Sequence, residues 1–226
     1  MPGQKAAEAE RREQILEAAY KVALRKGLEG LTVRAVAAAA GLSHGLVLFH
    51  FKRKDQLVRA VLDRVLANTL SLEVDHDMDL PEHPAERLPA LLRREVDRLT
   101  RNAREVRLLL EYWALGARQP ALRAEIGTAL DRYRAAFRRL TEEMLLADPD
   151  RLAGVTPAGL TAVAVSFING CAVQALIDPD HFDVEEYLAA VQGILGSSPK
   201  HPAESGARPR TRRRAAAGDT PARTAG

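Results

Sequence analysis

The apolar residues Leu122, Ile126, Leu130, Tyr133, Phe137, Leu140 and Met144 recur at steps of three and four. Only an α-helix places such a series on one side of a chain, so this stretch must bury one long face against neighbours. Pro120 fits its first turn and Asp148-Pro149-Asp150 its end. The same rhythm recurs along most of the sequence. Ile15, Ala19, Val22 and Ala23 form a stripe that stops near Gly27, with Gly30 just beyond it as a second candidate for a C-terminal cap. Thr32 caps a short helix that ends at Gly41, and Ser43 caps another. A further helix begins near Lys54, with Leu57, Val61 and Val65 on one face. Leu88, Leu91, Leu92, Val96 and Leu99 mark the next, a helix over about 104–117 follows, and Asp183 with Glu186 suggests a capping box for the last. No alternating strand pattern of useful length appears. The predicted class is all-α.

The stretch from Val155 to Ile177 contains no charged residue. Length alone would admit a membrane span. Thr161, Ser166, Asn169 and Gln174 interrupt it, however, and a helix apolar nearly all round also suits a large core or an oligomer interface. We read it that way and expect no membrane partner. A single cysteine, Cys171, cannot form an internal disulfide, and the first fourteen residues lack an apolar signal region. Both point to the cytoplasm. The net charge of +3 hides an asymmetry. Residues 1–54 carry ten Lys/Arg against five Glu, 55–196 carry sixteen against twenty-three acidic residues, and 197–226 carry seven against two. Two basic ends around an acidic middle suit a polyanion, or simply a solvated surface. The last segment is rich in Pro, Gly, Arg and Ala without apolar periodicity, and is predicted to be disordered.

The segment GLSHGLVLFHF, Gly41 to Phe51, is the one that bears on function. Its histidines, His44 and His50, admit three readings on residue type: core, metal ligand or partner contact. Val33 to His50 fits a helix-turn-helix, which needs a small residue where two helices cross and a turn residue tolerant of positive φ. Ala37 and Gly41 occupy those positions, and Val36, Ala40, Leu42 and Val47 are placed to hold the second helix on the first.

The run GLEGLTVRAVAAAAGLSHGLVLFHFKRKDQLVRAVL resembles the N-terminal domain of the tetracycline-repressor (TetR) family of bacterial regulators. The features that carry the resemblance are Gly27, Gly30 and Thr32, the Ala-Gly-Leu-Ser turn, Gly45, the His50-Phe51 pair, and Lys54 before Leu57; it covers residues 9–66. It implies a three-helix DNA-binding head whose second motif helix enters the major groove as part of a dimer. His44, Gly45 and Leu46 would then face base edges beside the Ser43 cap, with Leu46 able to pack on a thymine methyl, while Phe49 and His50 approach the backbone. Thr32, Arg34 and Lys54 would hold phosphates. The family's usual tyrosine is replaced by Leu48, which removes one expected backbone contact. Residue chemistry alone leaves His50 open as a helix-end histidine and Lys52, Arg53 and Lys54 as a solvated turn.

Residues 169–188, NGCAVQALIDPDHFDVEEYL, are similar to the effector-binding and dimerisation region of the subgroup that includes choline-responsive repressors. The domains implied are a disordered N-terminus 1–8, a helix-turn-helix domain 9–54, a helical effector-binding and dimerisation domain 55–196, and the basic tail 197–226. The resemblance pairs the last two helices with their copies, with Val163, Phe167, Cys171, Gln174, Tyr187 and Val191 as interface candidates. Tyr112, Trp113, Tyr133, Phe137, Phe167 and Gln174 are candidates for lining an effector pocket, with ordinary core as the competing reading. Asp75, His76, Asp77, Asp79, Glu82 and His83 have metal-ligand chemistry but sit in a Pro-rich connection, so a solvated loop is preferred and no metal is expected. No nucleophile elbow, phosphate loop or paired catalytic carboxylates stand out, so neither enzyme chemistry nor a cofactor is expected. The expectation is a homodimeric repressor that binds a palindromic double-stranded DNA operator and is released by an unknown small molecule. An activator of the same fold, or an α-helical enzyme or adaptor, is the alternative.

Overall fold

The computed structural model describes residues 2–72, 80–150 and 152–196. Nine helices occur among them: α1 (Pro2–Lys26), α2 (Val33–Ala40), α3 (His44–His50), α4 (Lys54–Thr69), α5 (Pro84–Arg101), α6 (Ala103–Gly116), α7 (Pro120–Ala147), α8 (Pro157–Ile177) and α9 (Val184–Gly196). No strand occurs among the described residues. The basic tail and the residues Asp75, His76, Asp77 and Asp79 lie outside them. Of the remaining metal candidates, Glu82 is exposed and His83 caps α5, its Nδ1 accepting the Ala85 N–H. No metal-binding group of three ligands occurs among the described residues.

Most helix ends are fixed by local chemistry. Thr32 and Thr156 accept the amides of Ala35 and Gly159 through their side-chain hydroxyls, and Pro120 and Pro157 open α7 and α8. Asp183 accepts the amides of Glu185 and Glu186 at 2.8 and 3.0 Å, so the acceptor half of the expected capping box is formed. Gly27 closes α1 at φ +68°, as a terminal glycine should. Gly30 has another reason to be glycine. A Cβ there would lie 2.3 Å from the Lys26 Cβ.

The N-terminus departs from expectation. Residues 2–8 are not separate from the fold's first helix; α1 starts at Pro2. The run Gln4–Glu10 lacks an apolar stripe but consists of good helix formers behind a proline at the first position.

One continuous apolar core runs from Ile15 to Leu195. The head, α1 to α3, packs around Ile15, Ala19, Leu31, Val36, Val47 and Phe51. The body, α5 to α9, packs around Leu88, Leu92, Tyr133, Phe137 and Ile168. The expected junction at 54/55 coincides with the first turn of α4, which touches α1 in the head and both α6 and α7 in the body. The uncharged α8 buries Leu160, Ala164, Ile168 and Cys171 against α5, α6, α7 and α9. That is one of the two roles read from the sequence, a large core or an oligomer interface.

The body also buries a charge. Glu95 is almost fully covered, and its carboxylate accepts from the Tyr133 hydroxyl and the Arg98 guanidinium, both at 2.7 Å. Arg98 extends the network to the carbonyls of Asn68 and Thr69, placing a cation at the C-terminal end of α4. Burial pushes the Tyr133 phenol well above its ordinary range, with the Glu95 charge adding to it, so it stays a donor at neutral pH.

Phe137 sits at zero exposure and pairs edge-on with Tyr133 at 5.1 Å, whereas Leu146 on the same helix is 80% exposed. Phe137→Ala is expected to cost about 3–5 kcal/mol. Leu146→Ala should stay within about 0.5 kcal/mol. Urea unfolding followed by circular dichroism measures both.

Candidate nucleic-acid interface

The head presents α3 through a sharp turn built from backbone chemistry. Gly41 takes φ +67°, a left-handed conformation that glycine adopts without strain. The Leu42 amide then bonds back to the Ala37 carbonyl at 2.9 Å, closing α2 with a Schellman bond. Ser43 starts α3 by accepting the Leu46 amide at 3.2 Å. The two helices meet at 106°, within the range of a helix-turn-helix.

α3 has only seven residues and must be held by packing. Val47 and the capping residue Phe51 point inward and are fully buried. The Arg12 guanidinium lies 4.7 Å from the centre of the Phe51 ring, and the Gln14 amide donates to the Ala40 carbonyl at 3.1 Å. Both contacts come from α1. Sequence alone does not announce them, because nothing in the spacing of Arg12 or Gln14 distinguishes them from solvated positions.

The opposite side is open. Thr32, Arg34, Ser43, His44, Gly45 and Lys54 are exposed, and Leu46 and His50 are half-buried. Phe49 stands out at 67% exposed, with the His50 ring edge-on to it at 5.2 Å. Leu48, where the resemblance leads one to expect tyrosine, is exposed beside it. Arg53 pairs with Asp55 at 2.7 Å, while Arg34 and Lys54 make no ion pair among the described residues. Every residue proposed from sequence to touch DNA is therefore at the surface of the head, with two cations available for phosphate.

Comparison with known proteins agrees with this geometry. Residues 15–61 match the family described as "Bacterial regulatory proteins, tetR family", and residues 84–197 match "BetI-type transcriptional repressor, C-terminal". The chain belongs to the TetR family. It is 27% identical over 191 residues to the HTH-type transcriptional regulator BetI of Stenotrophomonas maltophilia (strain R551-3), covering 84% of this chain and 94% of that one. A TetR transcription regulator from Haloarcula marismortui superposes with a TM-score of 0.66 at 21% identity, over 83% of this chain and 97% of its own. A putative transcriptional regulator from Saccharomonospora viridis, solved in complex with choline, gives 0.61 at 17% identity, over 84% and 97%. The relatives are regulators, and this TetR-family chain is not an enzyme.

Its head is tied to the body by α6. The Glu111 carboxylate accepts the Leu28 amide at 2.6 Å, Arg107 donates to the Leu24 carbonyl at 2.6 Å, and the Tyr112 hydroxyl donates to the Val58 carbonyl at 2.7 Å. Glu105 also accepts from Tyr20 and Asn68. A side chain at Gly27 would come 2.8 Å from the Glu111 carboxylate, so this glycine serves both the turn and the grip. Burial raises the Tyr112 phenol well above its ordinary range, with Glu111 contributing, and keeps it protonated.

The six pocket candidates are not gathered around one cavity. Tyr112, Tyr133 and Phe137 are fully buried core, and both tyrosine hydroxyls already have partners. Trp113 borders a cavity of about 250 Å³ with Gly116, Arg123, Ile126 and Leu130. Phe167 is half-buried, edge-on to Tyr187, whose hydroxyl donates to the Phe167 carbonyl, and Gln174 is exposed. A larger cleft, about 590 Å³, opens between α4 and α7 along Asp63, Leu66, Leu70, Glu125 and Ala129. None of the six candidates lines it.

Two interface candidates need correction. Cys171 and Val191 are buried inside the protomer, where they belong to the inward stripes Ala164-Ile168-Cys171 and Leu188-Val191-Leu195. A partner chain has no access to them. Burial pushes the Cys171 thiol up to about 11, so it stays protonated and unreactive at neutral pH. Val163 and Gln174 do face outward, and Phe167 and Tyr187 are half-buried.

Lys54→Ala should weaken binding to all duplexes alike and lower the salt slope by about 1, the change expected when one phosphate is no longer neutralised. His44→Ala should instead re-rank related duplexes, by about 1–3 kcal/mol at one base pair. Fluorescence anisotropy across a salt series separates the two; equal effects from both substitutions would contradict the assignment.

Proposed function

We propose that this chain is a homodimeric, cytoplasmic transcriptional repressor that binds a palindromic operator and is released by a small organic cation. The observation that carries the DNA-binding half is the open face of α3, set at 106° to α2 with Arg34 and Lys54 beside it. His44, Gly45 and Leu46 meet base edges, with Ser43 at the cap. Thr32, Arg34 and Lys54 position the head on phosphates, and Phe49 and His50 lie against the backbone wall of the groove. Leu48 contributes no hydrogen bond to phosphate.

The dimer is supported by the outward side of α8. Val163, Ser166, Gly170, Gln174 and Ile177 recur at steps of three and four, with Val163 45% and Ile177 73% exposed and no charge among them. Ile194 on α9 adds another apolar group at 60%. A Cβ at Gly170 would meet nothing within 4 Å, so a second helix can approach the bare backbone closely. Two-fold pairing here buries what the protomer leaves open and sets the spacing of two reading heads.

Release is supported by the cleft between α4 and α7. Its walls combine the Asp63 and Glu125 carboxylates with Leu66, Leu70 and Ala129; Glu125 pairs with Arg59 at 3.6 Å, and Arg132 also lines the cleft. Asp63 makes no ion pair among the described residues and Glu125 keeps one buried carboxylate oxygen without a hydrogen-bond partner, so these acceptors beside apolar wall suit an organic cation better than an anion. The choline in complex with the Saccharomonospora viridis neighbour points the same way. α4 lines the cleft and begins at Lys54, so a ligand that moves α4 changes where the two heads sit.

The test is binding to the DNA upstream of the protein's own gene. A sequence-specific complex that weakens with salt, two chains per duplex, and dissociation by choline or a related quaternary amine are expected. Val163→Glu should give a folded monomer with at least tenfold weaker specific binding, and Ala67→Trp, at the rim of the cleft, should bind DNA but resist release. Absence of any sequence-specific complex at low salt would overturn the reading.

A further inference from the structure

α3 is unusual in what it lacks. From Ser43 to Phe51 there is no Arg, Lys, Asp, Glu, Asn or Gln. The bidentate guanine and adenine contacts that long polar side chains make are therefore unavailable from this helix. Its polar groups are Ser43, engaged as the cap, and the two histidines. Apart from His44, what remains to read bases is apolar.

That apolar surface has a defined centre. At 100° per residue, Gly45 and Phe49 fall on the side directly opposite the buried Val47, one turn apart, with Leu46 and Leu48 flanking them. Phe49 leaves two-thirds of its surface uncovered. Gly45 has no reason inside the protomer to be glycine. Its φ is not in the left-handed region, and a Cβ there would meet nothing within 4 Å. Glycine inside a helix costs stability, and no contact within the protomer offsets that cost at Gly45. Gly45 thus leaves bare backbone on the open face of α3, with the exposed Phe49 side chain one turn along the same side.

We propose that the bare backbone at Gly45, beside Phe49, takes the 5-methyl group of a thymine, and that α3 reads its site largely through thymine methyls. The inference rests on the DNA-binding reading above. In the major groove the only apolar group that an unmodified base pair presents is this methyl. A glycine admits it close to the backbone, and a phenyl ring beside it removes it from water. Phe49 is thereby a specificity-determining residue, in addition to any contact with the backbone.

The test begins with selection of bound duplexes from a random pool by the full-length protein. Each thymine of the selected site is then replaced singly by deoxyuridine, which deletes the methyl and keeps every hydrogen-bonding group. At one or two positions per half-site, affinity should fall about fourfold for one methyl, and about fifteenfold when both half-sites are altered. Phe49→Ala should remove that difference at the same position while its helical circular dichroism is unchanged. Phe49→Leu should retain part of it, and Gly45→Ala should weaken the thymine duplex more than the deoxyuridine duplex. If a site is selected but no deoxyuridine changes affinity by more than 1.5-fold, the thymine reading fails and DNA binding stands. If the methyl matters equally in Phe49→Ala, Phe49 is not what reads it. If no sequence is enriched at all, the DNA-binding reading fails first.

Discussion

The Glu111 carboxylate that receives the Leu28 amide is the contact on which the arrangement of the two domains depends. It is a charge-assisted hydrogen bond between residues 83 apart in sequence, and Gly27 has to lack a side chain for it to form. Arg107 and Tyr112 of the same helix add bonds to the carbonyls of Leu24 and Val58. One helix of the body thus holds α1, the turn before α2, and α4. Arg98, anchored on buried Glu95, holds the far end of α4. A helix gripped near its start and at its end moves as a unit, so a small displacement in the body reaches Lys54.

The same economy appears at the surface of the head. α3 is too short to persist alone, and Val47, Phe51 and Arg12 fix it from behind. Its free side can then be small and apolar. Gly45 and Gly170 share a property: neither has a conformational need for glycine, and each has open space where a Cβ would be. The first faces the proposed DNA and the second the proposed partner chain. Helix stability is given up at both positions, with no return inside the protomer.

What is legible in the sequence is mostly local. Thr32, Gly41, Ser43, Pro120 and Pro157 fix their helix ends through atoms within a few residues, and the stripes of α1, α5 and α7 point to the core as their spacing requires. The phase of α8 is not legible. A helix apolar all round gives no periodic signal to say which side faces in, so sequence places Cys171 against the partner when it belongs to the protomer. Aromatic identity leaves Tyr112 and Tyr133 open between pocket and core; both are core, with hydroxyls that Val58 and Glu95 already satisfy. The α6 grip leaves one trace, Gly27, which reads equally well as an ordinary helix cap. Glu111 looks like any exposed glutamate of an amphipathic helix.

Whether the head follows α6 is tested most directly by the distance between the two heads of the proposed full-length dimer. Spin labels on Ala38→Cys, exposed on α2, report it by pulsed electron resonance, and Cys171, being buried, takes no label. A single narrow distance is expected in the otherwise unaltered chain, broadening and shifting when Glu111→Ala removes the acceptor for Leu28. An unchanged narrow distance in that variant would contradict the account.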